Sequence, residues 1–208
     1  MNARWPRRGL YAITPDEPDT HRLLARVEPV LRAGATWLQY RNKSAHEDLR
    51  AEQAITLQAL CRGLGVPLIV NDDWALAAAI GADGVHLGSD DGEVALARHE
   101  LGPEAIIGAS CYADLRLARQ AVFAGADYVA FGAFHPSTTK PGAPPAPVSI
   151  LGEAAALGVP RVAIGGITPD NAAPLIAAGA DLVAVISGLF DDPDPAAATR
   201  AYLSLFPK

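Results

Sequence analysis

The chain has 208 residues, half of them hydrophobic, and a formal charge of -6 at neutral pH. That is enough apolar material for one domain, expected to span residues 1–208. The acidic balance excludes the broad basic face with which a nucleic-acid binder displaces counterions from phosphates. Apolar runs of a few residues fall far short of the roughly 20 that cross a bilayer, so no membrane partner is expected.

The N-terminal "MNARWPRRGLY" is basic but leads directly into a strand, without the apolar region of a secretory signal. A cytoplasmic location is expected. "GLYAIT" (9–14) gives the first strand, and residues 22–33 the first helix, with Leu23, Leu24, Val27, Val30 and Leu31 on one stripe and a kink expected at Pro29. "RAGATWLQY" (32–40) opens a second strand near 36–41, and Ser44 with Glu47 has capping-box spacing for the helix that follows. "LGVPLIVND" carries a third strand near 67–71, a helix covers 73–80, and "AIGADGVHLG" (79–88) carries a fourth strand near 84–88. "LGPEAIIGAS" gives a fifth near 105–110, Asp114 opens a helix on which Leu115, Ala118 and Val122 recur, and "FAGADYVAFG" (123–132) gives a sixth near 127–132. "LGVPRVAIGG" supplies a seventh near 161–165, Thr168-Pro169 starts a helix, and "AAGADLVAVISG" (177–188) supplies an eighth near 182–187.

Two phrases alternate: a Gly-Ala turn with a small or acidic residue, and a Gly-Pro turn, each leading into a continuous apolar strand. Eight such strands alternating with helices mean a parallel sheet covered by helices. The fourfold quasi-repeat, with no G-x-G-x-x-G turn, favours a compact (β/α)8 TIM barrel over an open doubly wound sheet. The two cysteines, Cys61 and Cys111, lack ligand spacing and read as reduced thiols.

In such barrels the chemistry sits where strands end. Those positions here hold Gln39, Arg41, Asn42 and Lys43; Asn71, Asp72 and Asp73; Ser89, Asp90 and Asp91; Ser110; "FHPSTTKPG"; Gly165-Gly166; and Ile186-Ser187-Gly188. The opposite rim reads as mostly Gly, Ala and Pro. Carboxylates on the ends of successive strands suit Mg²⁺, which binds through one or two carboxylates plus substrate phosphates; each acid alone equally suits a helix N-cap. Alternation turns Trp37, Gln39 and Arg41 to one face, with Lys43 just beyond. Two of the chain's three lysines, Lys43 and Lys140, lie on this rim, and with Arg41 they make a clamp for a polyanion such as diphosphate. Gly165-Gly166, the helix start at Thr168-Pro169, and Ser187-Gly188 suggest a second, monophosphate site; a tight turn without ligand is the alternative. His86 shares a face with Gly84 and Gly88 and reads as interior packing rather than catalysis, and His135 lies in reach of the rim.

In order along the chain, "QYRNK" (39–43), "ND" (71–72), "GVHLGSDD" (84–91), "IIGAS" (106–110), "YVAFGAFHPSTTK" (128–140), "VAIGGI" (162–167) and "VIS" (185–187) closely resemble the thiamine-phosphate synthase family. The resemblance implies a transferase that joins 4-amino-2-methyl-5-(diphosphooxymethyl)pyrimidine to a thiazole phosphate, or its carboxylate, with release of pyrophosphate. By motif, Gln39, Tyr40, Arg41, Asn42, Lys43, Asn71, Ser110 and Lys140 would surround the pyrimidine diphosphate. Arg41, Lys43, Ser110 and Lys140 would act in catalysis, and Asp72 and Asp91 would hold Mg²⁺. Ser137, Thr138, Thr139, Gly166, Ile186 and Ser187 would hold the thiazole phosphate. The family pattern usually has Glu at Asn42, often a basic residue at Asp73, and Thr at Ser137. A tautomerase-like relative, a sugar-phosphate isomerase and a non-catalytic sensor are the alternatives; the retained basic and acidic cluster argues against the first two. A homo-oligomer is compatible with all of them.

Overall fold

Runs such as "GLYAI" and "LVAV" are buried along their whole length, as parallel strands lined by side chains inside and covered by helices outside must be. The structure, a computed structural model, describes residues 5–88, 94–136 and 145–207. Strand β1 (Gly9–Ile13) is followed by α1 (Thr20–Arg32), β2 (Trp37–Tyr40), α2 (Glu47–Leu64), β3 (Leu68–Asn71), α3 (Trp74–Ile80), β4 (Gly84–Leu87) and α4 (Val94–Leu101). The chain continues through β5 (Ile106–Tyr112), α5 (Leu115–Phe123), β6 (Tyr128–Phe131), α6 (Ser149–Glu153), β7 (Arg161–Ile164), α7 (Pro169–Ala177), β8 (Leu182–Val185), α8 (Ser187–Phe190) and α9 (Pro195–Ser204). Every strand pairs in parallel with its sequence neighbours, and β1 pairs with β8, with Tyr11 opposite Ala184, closing a (β/α)8 barrel.

Alternation decides what faces inward. Tyr11, Ile13, Trp37, Ile69, Ile106, Tyr128, Ala130, Val162, Leu182 and Ala184 form one buried cluster inside the barrel. Their neighbours Leu10, Ala12, Leu38, Tyr40, Leu68, Val129 and Val183 pack outward against the helices. The helix starts are set by local polar groups. Asp73, Asp114 and Asp194 each accept a hydrogen bond from a first-turn N–H of α3, α5 and α9. Ser44 does not cap α2: His46 does, its Nδ1 accepting from Leu49 N–H at 3.3 Å, while Ser44 donates to Asn42 Oδ1. The chain bends through Ser44 and Ala45 and turns extended at His46, so the helix begins at Glu47, two residues later than the spacing suggests. Pro29 lies inside α1 without ending it.

The lower rim differs from the expected run of small residues. Asp83 accepts from Leu68 N–H and its own N–H donates to Leu68 O; Asp127 does the same with Ile107, and Asp181 with Arg161. Each acid of the Gly-Ala-Asp turns thus holds the start of the preceding strand. Arg98 reaches Asp127 and the carbonyls of Gly102, Ala105 and Gly125, while Arg161 Nε donates to Asp181 at 3.0 Å. These acids are therefore paired and structural. The corresponding position before β2 is Thr36, whose N–H donates to Leu10 O.

Candidate active site

The upper mouth of the barrel holds a cavity of about 440 Å³ lined by inward residues from the strand ends and the loops beyond them. Gln39, Arg41, Lys43, Asn71, Asp72, His86 and Ser110 line one side; Gly166, Ile186 and Ser187 line the other. Most of the described candidate residues from the sequence therefore meet in one place. Lys140, Ser137, Thr138, Thr139 and Asp91, with Ser89 and Asp90, lie outside the described residues.

On the cationic side, Thr14 extends the β1–β2 pairing past its last register pair: its N–H donates to Gln39 O, its hydroxyl to Arg41 O, and Arg41 N–H donates back to the hydroxyl. Asp16 then fixes the clamp, its Oδ1 accepting from Arg41 Nη1 at 3.1 Å and from Lys43 N–H at 2.9 Å. Lys43 Nζ lies 3.1 Å from Asp72 Oδ2. Asp72 occupies the left-handed region at φ 65°, which Asp and Asn tolerate better than most side chains. Its hard oxygens, beside the Lys43 ammonium rather than in an acidic cage, suit an ion held largely by substrate phosphates. Among the described residues no cluster of three or more His, Cys, Asp or Glu side chains offers an all-protein cage.

Two expected pyrimidine contacts are placed differently. Tyr40 faces outward, its hydroxyl donating to Gln53 Oε1 of α2, and burial raises its phenol well above the usual range. Asn42 is buried and donates to Gln53 Oε1 and Glu17 O while accepting from Ser44. With their side chains turned toward α2, both support the loop that carries Arg41 and Lys43, and they line an adjoining cavity of about 510 Å³ that shares Lys43, Asn71 and Asp72 with the mouth. Asp73, another departure from the family pattern, is the N-cap of α3.

The floor of the mouth is polar in a way the sequence did not reveal. Gln39 Nε2 donates to the Tyr11 hydroxyl at 2.8 Å, and the Tyr11 and Tyr128 hydroxyls are 2.8 Å apart. The Tyr128 hydroxyl lies 2.8 Å from His86 Nδ1, and His86 Nε2 lies 2.9 Å from Ser110 Oγ. His86 thus uses both ring nitrogens at the base of the cavity and is more than packing. Edge-on contacts among Tyr11, Trp37 and Tyr128 hold the rings, and burial raises both phenols far above their ordinary value, keeping them protonated. Gly108 makes the arrangement possible: it stands opposite Tyr128, and a Cβ there would fall on the phenol ring. Tyr11, Thr14, Asp16 and Tyr128 escaped the sequence reading; the end of β1 was the signal available for Thr14 and Asp16, since rim residues follow every strand.

Opposite, Gly166 lies at φ 59° with the backbone of Pro136 so close that a side chain would meet it. Asn171 of α7 donates to Gly166 O and accepts from Thr168 N–H, fixing this turn beside Ile186 and Ser187.

A family model described as thiamine monophosphate synthase matches residues 10–189. The chain belongs to that family. It is 59% identical over 199 residues to the thiamine-phosphate synthase of Xanthomonas campestris pv. campestris (strain 8004), a match that covers 96% of each chain. It is 58% identical over 201 residues to the thiamine-phosphate synthase of Methylobacillus flagellatus, covering 97% of this chain and 96% of that one. The solved thiamine phosphate pyrophosphorylase of Pyrococcus furiosus superposes with a TM-score of 0.85 at 34% identity, covering 98% of this chain and 97% of the other. The protein is accordingly a thiamine-phosphate synthase-family enzyme, a transferase. Among the described residues no helix is long and apolar enough to cross a membrane.

Proposed function

We propose that the protein joins 4-amino-2-methyl-5-(diphosphooxymethyl)pyrimidine to a thiazole monophosphate, releasing pyrophosphate and forming thiamine phosphate. The observation that carries this reading is the opposition, across one cavity of about 440 Å³, of the Arg41–Lys43 arm and the Gly166–Ser187 side. That volume is in the range of small-molecule sites, and its two ends suit a diphosphate and a monophosphate. Arg41 and Lys43, joined by Lys140 from the loop after β6, would neutralise the diphosphate. Asn71 would bind it, and Gln39 and Ser110 would hold the pyrimidine ring. Gly166, Ile186 and Ser187, with Ser137, Thr138 and Thr139, would hold the thiazole phosphate.

Asp72 and Asp91 would hold Mg²⁺, which when bound supplies positive charge to the phosphate oxygens of the leaving group. The residues of the chain then have two tasks. Arg41 and Lys43 favour departure of pyrophosphate, which leaves with the electron pair of the breaking C–O bond, while the electron-rich aminopyrimidine shares the positive charge left on its methylene carbon. The opposite side holds the thiazole so that the lone pair of its nitrogen forms the new C–N bond, a positioning contribution. No side-chain general base is required.

The test is direct: purified protein, both substrates and Mg²⁺, with thiamine phosphate and pyrophosphate followed together. Equimolar formation of both is expected. Absence of product from folded protein with both substrates bound overturns the proposal.

A further inference from the structure

The cavity of about 510 Å³ beside the mouth is lined from the ends of β2 and β3 and the starts of α2 and α3, and Arg50 of α2 is one of its residues. Among the described residues the Arg50 guanidinium has no hydrogen-bond or ion-pair partner, and its Nε is shielded from solvent. Every other half-buried arginine among those residues is paired: Arg26 with Glu17, Arg41 with Asp16, Arg98 with Asp127 and Arg161 with Asp181. A charge drawn partly out of water without a counter-charge costs stability. A cation this close to a helix N-terminus gains nothing from the helix dipole either. Burial raises the Tyr40 phenol and the Arg50 charge works against that rise, which sets the guanidinium on the barrel side of α2. The other polar groups of the cavity are already engaged. Asn42 is bonded to Glu17, Gln53 and Ser44, Asp73 caps α3, and Asp72 meets Lys43.

We propose that this cavity is a second anion site, where Arg50 and Lys43 receive inorganic pyrophosphate as it leaves the mouth. The site deepens the function given above and rests on it. Cleavage of the C–O bond turns a diphosphate ester into free pyrophosphate, which has one more ionisable oxygen and is no longer tied to the pyrimidine. A further cation is what distinguishes the two. Lys43 borders both spaces on a flexible stem, so its ammonium can follow the anion. The two Nη groups of Arg50 then offer paired donors to two phosphate oxygens, a geometry that an ammonium lacks. Gly166, Ile186 and Ser187 border the mouth and not this cavity, so the leaving group departs without crossing the second substrate.

Calorimetric titration at constant Mg²⁺ would compare wild type, Arg50→Gln and Arg50→Lys, each against inorganic pyrophosphate and against the aminopyrimidine diphosphate. Arg50→Gln is expected to weaken pyrophosphate about tenfold or more, the scale of a charge-assisted hydrogen bond, and the pyrimidine diphosphate less than about twofold. Arg50→Lys, which keeps the charge without the fork, should fall between. Without ligand both variants should melt within about 2 °C of wild type, since no partner of Arg50 is lost. An arginine with a merely structural role would lower Tm and leave the ratio of the two affinities where it was. Equal weakening of both ligands puts Arg50 in the mouth and overturns the second site. Pyrophosphate affinity that stays at the wild-type value in Arg50→Gln overturns it too. Wild type that binds the pyrimidine diphosphate but not pyrophosphate overturns the second site and spares the substrate reading. Wild type that binds pyrophosphate through Arg50 but not the pyrimidine overturns the substrate reading and sustains the anion site.

Discussion

Gly108→Ala isolates the fit on which the polar floor depends. The added methyl falls on the ring of Tyr128, which stands opposite in β6 and is fully buried between Trp37, Tyr11 and His86. The ring has no free direction in which to retreat. Overpacking of this kind costs about 1–3 kcal/mol, and displacement of the hydroxyl loses its bonds to Tyr11 and His86 at about 1 kcal/mol each. The lower backbone entropy of unfolded alanine returns about 0.5 kcal/mol. The net loss, about 3.5 kcal/mol, lowers Tm by about 7–14 °C for a domain of this size. Calorimetric melting at neutral pH reads it, with Gly63→Ala as the matched control. Gly63 lies in α2 where a Cβ meets open space, and that change should raise stability by about 1 kcal/mol. If Gly108→Ala melts within about 2 °C of wild type, the packing of Tyr128 is not the constraint described and the reasoning fails.

The other predictions concern the clamp, the metal side and the thiols. Asp72→Asn keeps a side chain suited to the left-handed backbone and should leave Tm nearly unchanged while lowering turnover about 100-fold or more; Asp72→Val should in addition lose about 1–3 kcal/mol of stability in urea titration. Asp16→Ala frees Arg41 and the Lys43 amide from a shared anchor, so steady-state kinetics should show KM for the diphosphate substrate rising about fivefold with melting unaffected. Burial pushes the Cys61 and Cys111 thiols up to about 12 from an ordinary 9.0, so a thiol-reactive disulfide reagent at pH 8 should label neither until the protein is unfolded. Above pH 9 the unfolded chain loses these protons and the folded one keeps them. Their contribution is complete below 9 and is lost as pH rises toward 12, and the urea midpoint should fall across that window, less so in Cys61→Ala.

The architecture was legible because buried parallel strands write themselves as unbroken apolar runs, and the two turn phrases marked where each begins; the observed strands lie within one or two residues of the expected ones. The rim was legible for the same reason, as Arg41, Lys43, Asp72 and Ser110 could be located by counting past strand ends. What one sequence does not carry is register. That Gly108 faces Tyr128, or that Tyr11 reaches both Gln39 and Tyr128, depends on which residues stand side by side across strands, so the polar floor was invisible and His86 read as filler. Alternation alone would have turned Tyr40 away from the mouth, and Asn42 illustrates the converse: a polar residue on a functional loop whose side chain is spent on Gln53 and Glu17. Ser44 had the spacing of a cap but not the backbone, which enters the helix at His46.

The reciprocal bonds of Asp83, Asp127 and Asp181 have a bearing on how the chain folds. Each ties two strands separated by one helix, across only 15, 20 and 20 residues. Short loops close at small entropic cost, so each two-strand unit is able to register itself before its neighbours arrive. The pairing of Gly9 with Leu182 must instead gather almost the entire polypeptide, which makes ring closure the slow, late event of assembly. Aspartates at one end of the barrel thus set the register in which it is built, while those at the other end anchor the loops of the mouth.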